Sequence, residues 1–134
     1  MNSKKELCIH LRAVNKDFCP AYWDLCAGGC IQPGFTDYDN ARRELEEEYG
    51  VTGVHLDFVT TMKFSDEKNK CWGSIFFVNY DGDIKIQEEE IQEHKWVSLE
   101  DIQKDYIDNS DIKVTPDSVQ VLKLLKDHYP NLLK

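Results

Sequence analysis

Three glutamates are spaced so that a single helix would bring their carboxylates together. Glu44, Glu47 and Glu48 stand at positions i, i+3 and i+4, so in a helix their side chains leave from one stripe of the surface. Carboxylates this close raise one another's pKa unless a cation lies between them. Hard divalent ions such as Mg²⁺ and Mn²⁺ prefer oxygen ligands of this kind. The spacing indicates a divalent-metal site, although an isolated Glu run is more often a solvated face.

The helix that would position these carboxylates is predicted from about Asp37 to Tyr49. Thr36 is a suitable N-cap, and Gly50 supplies the left-handed residue that commonly ends a helix. The apolar stripe of this helix consists of Tyr38, Ala41, Leu45 and Tyr49. Because it lies beside the acidic stripe, we expect the carboxylates at the edge of the core, where a cleft could form.

Residues 29–51 resemble the Nudix signature, G-x5-E-x7-R-E-U-x-E-E-x-G-U, in which U is a bulky aliphatic residue. Eight fixed positions match in register, from Gly29 to Val51. The departure is Phe35, which stands where the family has its first glutamate. We expect this change to affect metal affinity more than the fold.

The resemblance also implies the roles of the residues around the signature. The implied metal ligands are Glu44, Glu47, Glu48 and the backbone carbonyl of Gly28. Arg43 would orient the carboxylates by ion pairing. The implied fold is an α/β Nudix fold, an α/β/α sandwich with a mixed β-sheet between helices, and the implied cofactor is Mg²⁺ or Mn²⁺.

Beyond the signature, the chain is most similar to the Nudix hydrolases that look like isopentenyl-diphosphate isomerase. The similar segments are Leu11-Arg12 with Lys16, Pro-Ala-Tyr-Trp-Asp at 20–24, Lys-Cys-Trp-Gly at 70–73, residues 90–96, and Thr-Pro-Asp-Ser at 115–118. In that branch an Arg and a Lys four residues later bind the substrate diphosphate, which implies this role for Arg12 and Lys16. Solvated surface charges are the alternative for both.

Isomerase activity itself is not expected. A double-bond shift needs a proton donor and a proton acceptor on opposite faces of the substrate. The isomerase family uses a Cys and a Glu for this, with His and Glu metal ligands around them. The corresponding positions here are Gly28, Cys30, Ser74 and Phe76. All four residues differ from those of the isomerase, whereas the hydrolytic metal ligands remain.

The implied reaction is metal-assisted attack of water on a phosphorus atom of a nucleoside diphosphate linked to another group. Glu47, Glu48 or an acid from a later loop would take the proton from the water. The candidates among the later acids are Glu88, Glu89, Glu90 and Glu93. Glu90 is favoured because it matches an acidic position before the strand at Trp96, although a solvated charge run is an equally good interpretation. A Nudix-fold binding or regulatory domain with weak or no catalysis is the competing function, motivated by Phe35 and by the short N-terminus.

Strand and helix patterns place these residues in one α/β domain spanning 1–134. Strands are predicted at 7–11, with one face buried, and at 22–27, 54–64, 72–80 and 84–86. Short helices are predicted to start at Ser98 and at Thr115-Pro116, where each Ser or Thr is a cap. Relatives usually have another strand before 7–11, so an exposed sheet edge and a homodimer are plausible.

The composition restricts the partners. A formal charge of −9 argues against general nucleic-acid binding, because phosphate polymers are held by Lys and Arg. The start lacks the apolar run of a signal peptide, and no stretch has the length of a membrane span. We therefore expect a cytoplasmic protein that binds a small-molecule diphosphate and has no membrane attachment.

Overall fold

The computed structural model describes residues 1–16, 19–27, 34–65 and 70–128 of the 134-residue chain. Its strands are β1 (Glu6–Arg12), β2 (Trp23–Asp24), β3 (Asp57–Ser65), β4 (Lys70–Phe77) and β5 (Ile91–Ser98). Its helices are α1 (Asp37–Tyr49), the short α2 (Leu99–Asp101), which continues into a π-helical stretch (Ile102–Ile107), and α3 (Pro116–His128).

The strands form two antiparallel sheets. The first has the order β2-β1-β5, and the second consists of β3 and β4. An isolated parallel bridge joins Trp23 of β2 to Val114, so the first sheet contains both antiparallel and parallel pairing. With α1 packed against β4 and α3 against β3, the predicted α/β class is confirmed.

Both faces of β1 are covered. Leu7, Ile9 and Leu11 belong to the core cluster that contains α3 and the π-helical stretch. Cys8 lies in a second cluster with Tyr49 of α1, and His10 Nδ1 lies 2.5 Å from the Tyr49 hydroxyl. We predicted that one face of β1 is buried, but both faces are. Helix α1 covers the second face, and its Tyr49 hydroxyl forms a hydrogen bond with the buried His10 imidazole.

Helix α1 begins and ends where the sequence predicted. The Thr36 hydroxyl accepts a hydrogen bond from the Asp39 N–H at 3.1 Å. Gly50 adopts a φ of 66°, and its N–H donates to the carbonyl of Glu46 at 2.9 Å. These local contacts fix both ends of the helix that carries the three glutamates.

The prediction of a strand at 84–86 is wrong, since the structure has no strand at these residues. Instead, the N–H of Lys85 donates to the carbonyl of Tyr49 at 2.9 Å, and the N–H of Gln87 donates to that of Glu48 at 3.0 Å. The last carbonyls of a helix lack partners within it. The segment therefore completes the C-terminal end of α1 rather than extending a sheet.

The strand predicted at 22–27 is also shorter than expected, because it spans only Trp23–Asp24. The next two backbone N–H groups bond to side chains instead of a neighbouring strand. That of Leu25 donates to the Ser118 hydroxyl at 2.9 Å, and that of Cys26 donates to the Asp24 carboxylate at 3.0 Å. Side-chain acceptors therefore end the strand early.

Helix α3 closes the larger core. Its buried residues Val121, Leu122 and Leu125 pack in one cluster with Ile9 of β1. The predicted cap is confirmed, since Thr115 Oγ1 accepts from the Ser118 N–H at 3.3 Å and Pro116 is the first helical residue. Within the described residues, no helix is both long enough and apolar enough to cross a membrane.

Candidate functional site

The three glutamates of α1 differ in their surroundings. The Glu44 side chain is 17% exposed, Glu47 is exposed, and Glu48 lines a cleft. Burial raises the pKa of Glu44, nearby Glu47 raises it further, and Arg43 lowers it. Among the described residues, no three acid, His or Cys side chains already converge as a metal cluster. Gly28, the fourth expected ligand, lies outside the described residues.

Arg43 is held from three directions. Its Nη2 lies 3.7 Å from the Glu44 carboxylate and donates to Asn40 Oδ1 at 3.3 Å. Its Cζ lies 4.5 Å from the centre of the Phe35 ring, which is a cation–π contact. The residue that replaces the family's first glutamate therefore contacts the arginine expected to orient the metal ligands.

The two basic residues predicted to bind diphosphate are each paired with an acid. Arg12 Nη1 lies 3.3 Å from Asp24 Oδ2. Lys16 forms an ion pair with Glu90, the residue predicted as a possible base. Glu90 and Lys16 are also close enough to influence the pKa of Glu44, which they raise and lower respectively. Lys16 and Glu90 therefore lie near enough to Glu44 for their charges to act on it.

A cavity of about 440 Å³ opens beside these residues. Its polar lining includes Arg12, Lys16 and Glu48, while Leu45 of α1 and Ile75 of β4 contribute apolar surface. Cavities of this size commonly hold small molecules. The cavity therefore combines an acid of α1 with both predicted phosphate ligands.

The two described positions that correspond to isomerase acids have other contacts. The Ser74 hydroxyl donates to the Asp37 carboxylate. The Phe76 ring packs edge-on against Tyr38 at 5.7 Å and against Phe58 at 5.9 Å, between ring centres. Neither side chain carries an acid, and the other two positions, Gly28 and Cys30, lie outside the described residues.

No role was predicted for Asp24, Ser118 and Asn40, all of which contact the site or its neighbours. Asp24 and Ser118 lie within segments that carried the resemblance, at 20–24 and 115–118. The similarity of these segments to the family could have pointed to Asp24 and Ser118. It did not indicate that the two segments are in contact.

Comparison with known proteins agrees with this fold. Residues 1–118 match the NUDIX domain. The chain is 36% identical over 130 residues to the uncharacterized Nudix hydrolase PA4841 of Pseudomonas aeruginosa, covering 94% of this chain and 73% of that protein. It is 34% identical over 119 residues to the uncharacterized Nudix hydrolase YfcD of Escherichia coli K12, covering 89% of this chain and 63% of YfcD. The chain therefore spans less than two thirds of the length of YfcD.

Among solved structures, a MutT protein from Methanosarcina mazei Go1 superposes with a TM-score of 0.77 at 24% identity, covering 96% of this chain and 88% of that one. A NUDIX domain matched over residues 1–118, an acidic helix and a neighbouring cleft define the class of protein. The chain belongs to the Nudix family. The predicted enzyme class, a Nudix hydrolase, is confirmed.

Proposed function

We propose that the chain is a divalent-metal-dependent hydrolase that cleaves a diphosphate linkage in a nucleoside diphosphate derivative or a similar small molecule. The observation that carries this proposal is the shared cavity of Glu48, Arg12 and Lys16. An acid from the Nudix helix and two cations in the lining of the same cavity suit an anionic substrate that is cleaved beside a metal.

The side chains of α1 suit a hard divalent ion in both charge and ligand type. Glu44, Glu47 and Glu48 offer carboxylate oxygens, to which the proposal adds the carbonyl of Gly28. The raised pKa of Glu44 reflects burial together with a neighbouring carboxylate, and a cation relieves both penalties. Bound Mg²⁺ or Mn²⁺ supplies charge neutralisation at the phosphoryl oxygens and lowers the pKa of the attacking water.

Proton acceptance is assigned to one of three acids, Glu47, Glu48 and Glu90. Glu48 faces the cavity, whereas Glu47 is exposed. Glu90 is ion-paired with Lys16 but, unlike Lys16 and Glu48, is not part of the cavity lining. The geometry therefore favours Glu48 as the first residue to substitute.

Arg12 and Lys16 hold the substrate in this proposal. A guanidinium can contact a phosphate through two parallel hydrogen bonds, while an ammonium acts as a point charge. Together they fix the diphosphate against the acids of α1. The proposal also places the chain in the isopentenyl-diphosphate-isomerase-like branch of the family, on the segments that resemble it, and in the cytoplasm.

A second candidate function is a Nudix-fold binding or regulatory domain with weak catalysis. The contact of Phe35 with Arg43 favours it, because an aromatic ring occupies a position where the family has a carboxylate. This function predicts metal-independent binding of a nucleotide, with weak or no turnover.

A substrate panel distinguishes the two functions. The chain is incubated with nucleotide sugars, dinucleotides, nucleoside di- and triphosphates and prenyl diphosphates, each with Mg²⁺ or Mn²⁺, and monophosphate release is followed by chromatography. We expect turnover of at least one compound, abolished by a chelator. Turnover of none, combined with binding of a nucleotide in the presence of chelator, would support the binding domain instead.

Replacing Phe35 by Glu is expected to lower the Mg²⁺ concentration for half-maximal activity roughly tenfold, because it restores an acid beside Arg43. The matched control is Phe35→Leu, which removes the aromatic ring without adding a carboxylate. Metal titrations of both variants measure the effect. Equal metal requirements for the Glu and Leu variants would show that the lost carboxylate has no influence on the metal site.

A further inference from the structure

Two segments without an assigned role meet beside Arg12. Asp24 belongs to β2, and its cross-strand partner on β1 is His10, which lies two residues before Arg12. Asp24 Oδ2 lies 3.3 Å from Arg12 Nη1, and the two side chains are 16% and 18% exposed. The pair therefore lies where water screens the attraction only in part.

The other carboxylate oxygen of Asp24 is fixed by two donors. Oδ1 accepts from the Cys26 N–H at 3.0 Å and from the Ser118 hydroxyl at 3.0 Å. With one oxygen on these donors and the other towards Arg12, the plane of the carboxylate is set by groups outside the pair.

Ser118 is completely buried, and its hydrogen bonds form a directed chain. Its Oγ accepts from the Leu25 N–H at 2.9 Å and lies 2.6 Å from Thr115 Oγ1. Because the Ser118 proton is donated to Asp24, the Thr115 hydroxyl must be the donor to Ser118. The hydroxyls at the start of α3 thus orient a carboxylate that contacts Arg12.

We propose that Asp24, oriented by Ser118, is a positioning residue that holds the Arg12 guanidinium towards the cavity for binding the substrate diphosphate. The inference rests on the proposed function, in which Arg12 binds that diphosphate. An arginine side chain loses considerable rotamer entropy when it binds a ligand. A carboxylate that orders it beforehand reduces this loss and strengthens binding without touching the ligand.

The test uses methylenediphosphonate, a nonhydrolysable diphosphate, in the presence of Mg²⁺. Calorimetry is expected to show binding to the unsubstituted chain and about tenfold weaker binding to Asp24→Asn. The amide keeps an oxygen for Cys26 and Ser118 but loses the charge that attracts Arg12. Ser118→Ala keeps that charge and removes only the orienting hydroxyl, so a loss of roughly threefold is expected. Thermal melts establish that each variant is folded.

Asp57→Asn is the matched control, because Asp57 forms an exposed ion pair with His55 and neither residue is part of the cavity lining. It is expected to bind like the unsubstituted chain. A positioning role is tested by combining Asp24→Asn with Arg12→Ala. In the chain that already lacks the Arg12 side chain, Asp24→Asn is expected to cause no further loss of affinity for the diphosphonate. With a substrate from the panel, Asp24→Asn is expected to raise KM about tenfold and to change kcat less than twofold.

The outcomes separate this inference from the proposed hydrolysis. If the chain binds the diphosphonate but turns over no compound of the panel, the proposed hydrolase function is contradicted. The affinities of the variants for the diphosphonate still test the positioning role of Asp24 in that case. The inference is overturned if folded Asp24→Asn binds the diphosphonate with unchanged affinity. It is also overturned if Asp24→Asn lowers the affinity equally in the unsubstituted chain and in Arg12→Ala. Failure of the unsubstituted chain to bind the diphosphonate overturns it too.

Discussion

Glu48→Gln is expected to lower kcat/KM for metal-dependent hydrolysis by roughly a hundredfold to a thousandfold, with folding unchanged. The amide has nearly the same shape as the acid, but it neither neutralises a divalent ion nor accepts a proton from water. Glu48 lines the cavity, so the substitution acts at the proposed reaction centre. Its backbone carbonyl, which accepts from Gln87, is unaffected by the change.

Glu46→Gln is the matched control, since Glu46 is exposed on the same helix and lies outside the acidic stripe. Steady-state kinetics over a range of Mg²⁺ concentrations, with circular dichroism of both variants, measure the effect. Similar rates for the two variants would exclude Glu48 both as a metal ligand and as the base.

Leu122→Ala is expected to lower the free energy of unfolding by about 3 kcal/mol, the middle of the range for buried Leu truncations. Leu122 is 1% exposed and packs in the core cluster that joins α3 to β1. Natural domains are stable by about 5–15 kcal/mol, so the variant loses a large share of its stability.

Urea unfolding followed by tryptophan fluorescence measures this loss. Val119→Ala on the same helix is the control, because Val119 is 41% exposed and its truncation leaves no cavity. We expect it to change stability by less than about 1 kcal/mol. A similar cost for both variants would mean that the packing of α3 contributes less than its burial indicates.

The elements that the sequence predicted well are those specified by local contacts. Helix α1 ends at residues whose own side chain or backbone conformation caps it, at Thr36 and Gly50. The 84–86 segment has strand-like residues, yet its N–H groups bond to the end of a distant helix. Propensity alone could not reveal this, because tertiary hydrogen bonds override weak local preferences.

The same distinction applies to the site. The spacing of Glu44, Glu47 and Glu48 within one helix is a local property, so the acidic stripe was predictable. The contact between Asp24 and Ser118 joins residues 94 apart in sequence, and the Lys16–Glu90 pair joins residues 74 apart. No local pattern encodes such contacts.

The backbone hydrogen bonds from Lys85 and Gln87 to the end of α1 constrain how this protein can be re-engineered. Main-chain groups make both bonds, so many side chains are compatible with the segment, whereas its length is restricted. Inserting or deleting one residue next to it would misalign both donors with the carbonyls of Glu48 and Tyr49. Loop grafts in this region can therefore vary the side chains of the segment but should keep its length.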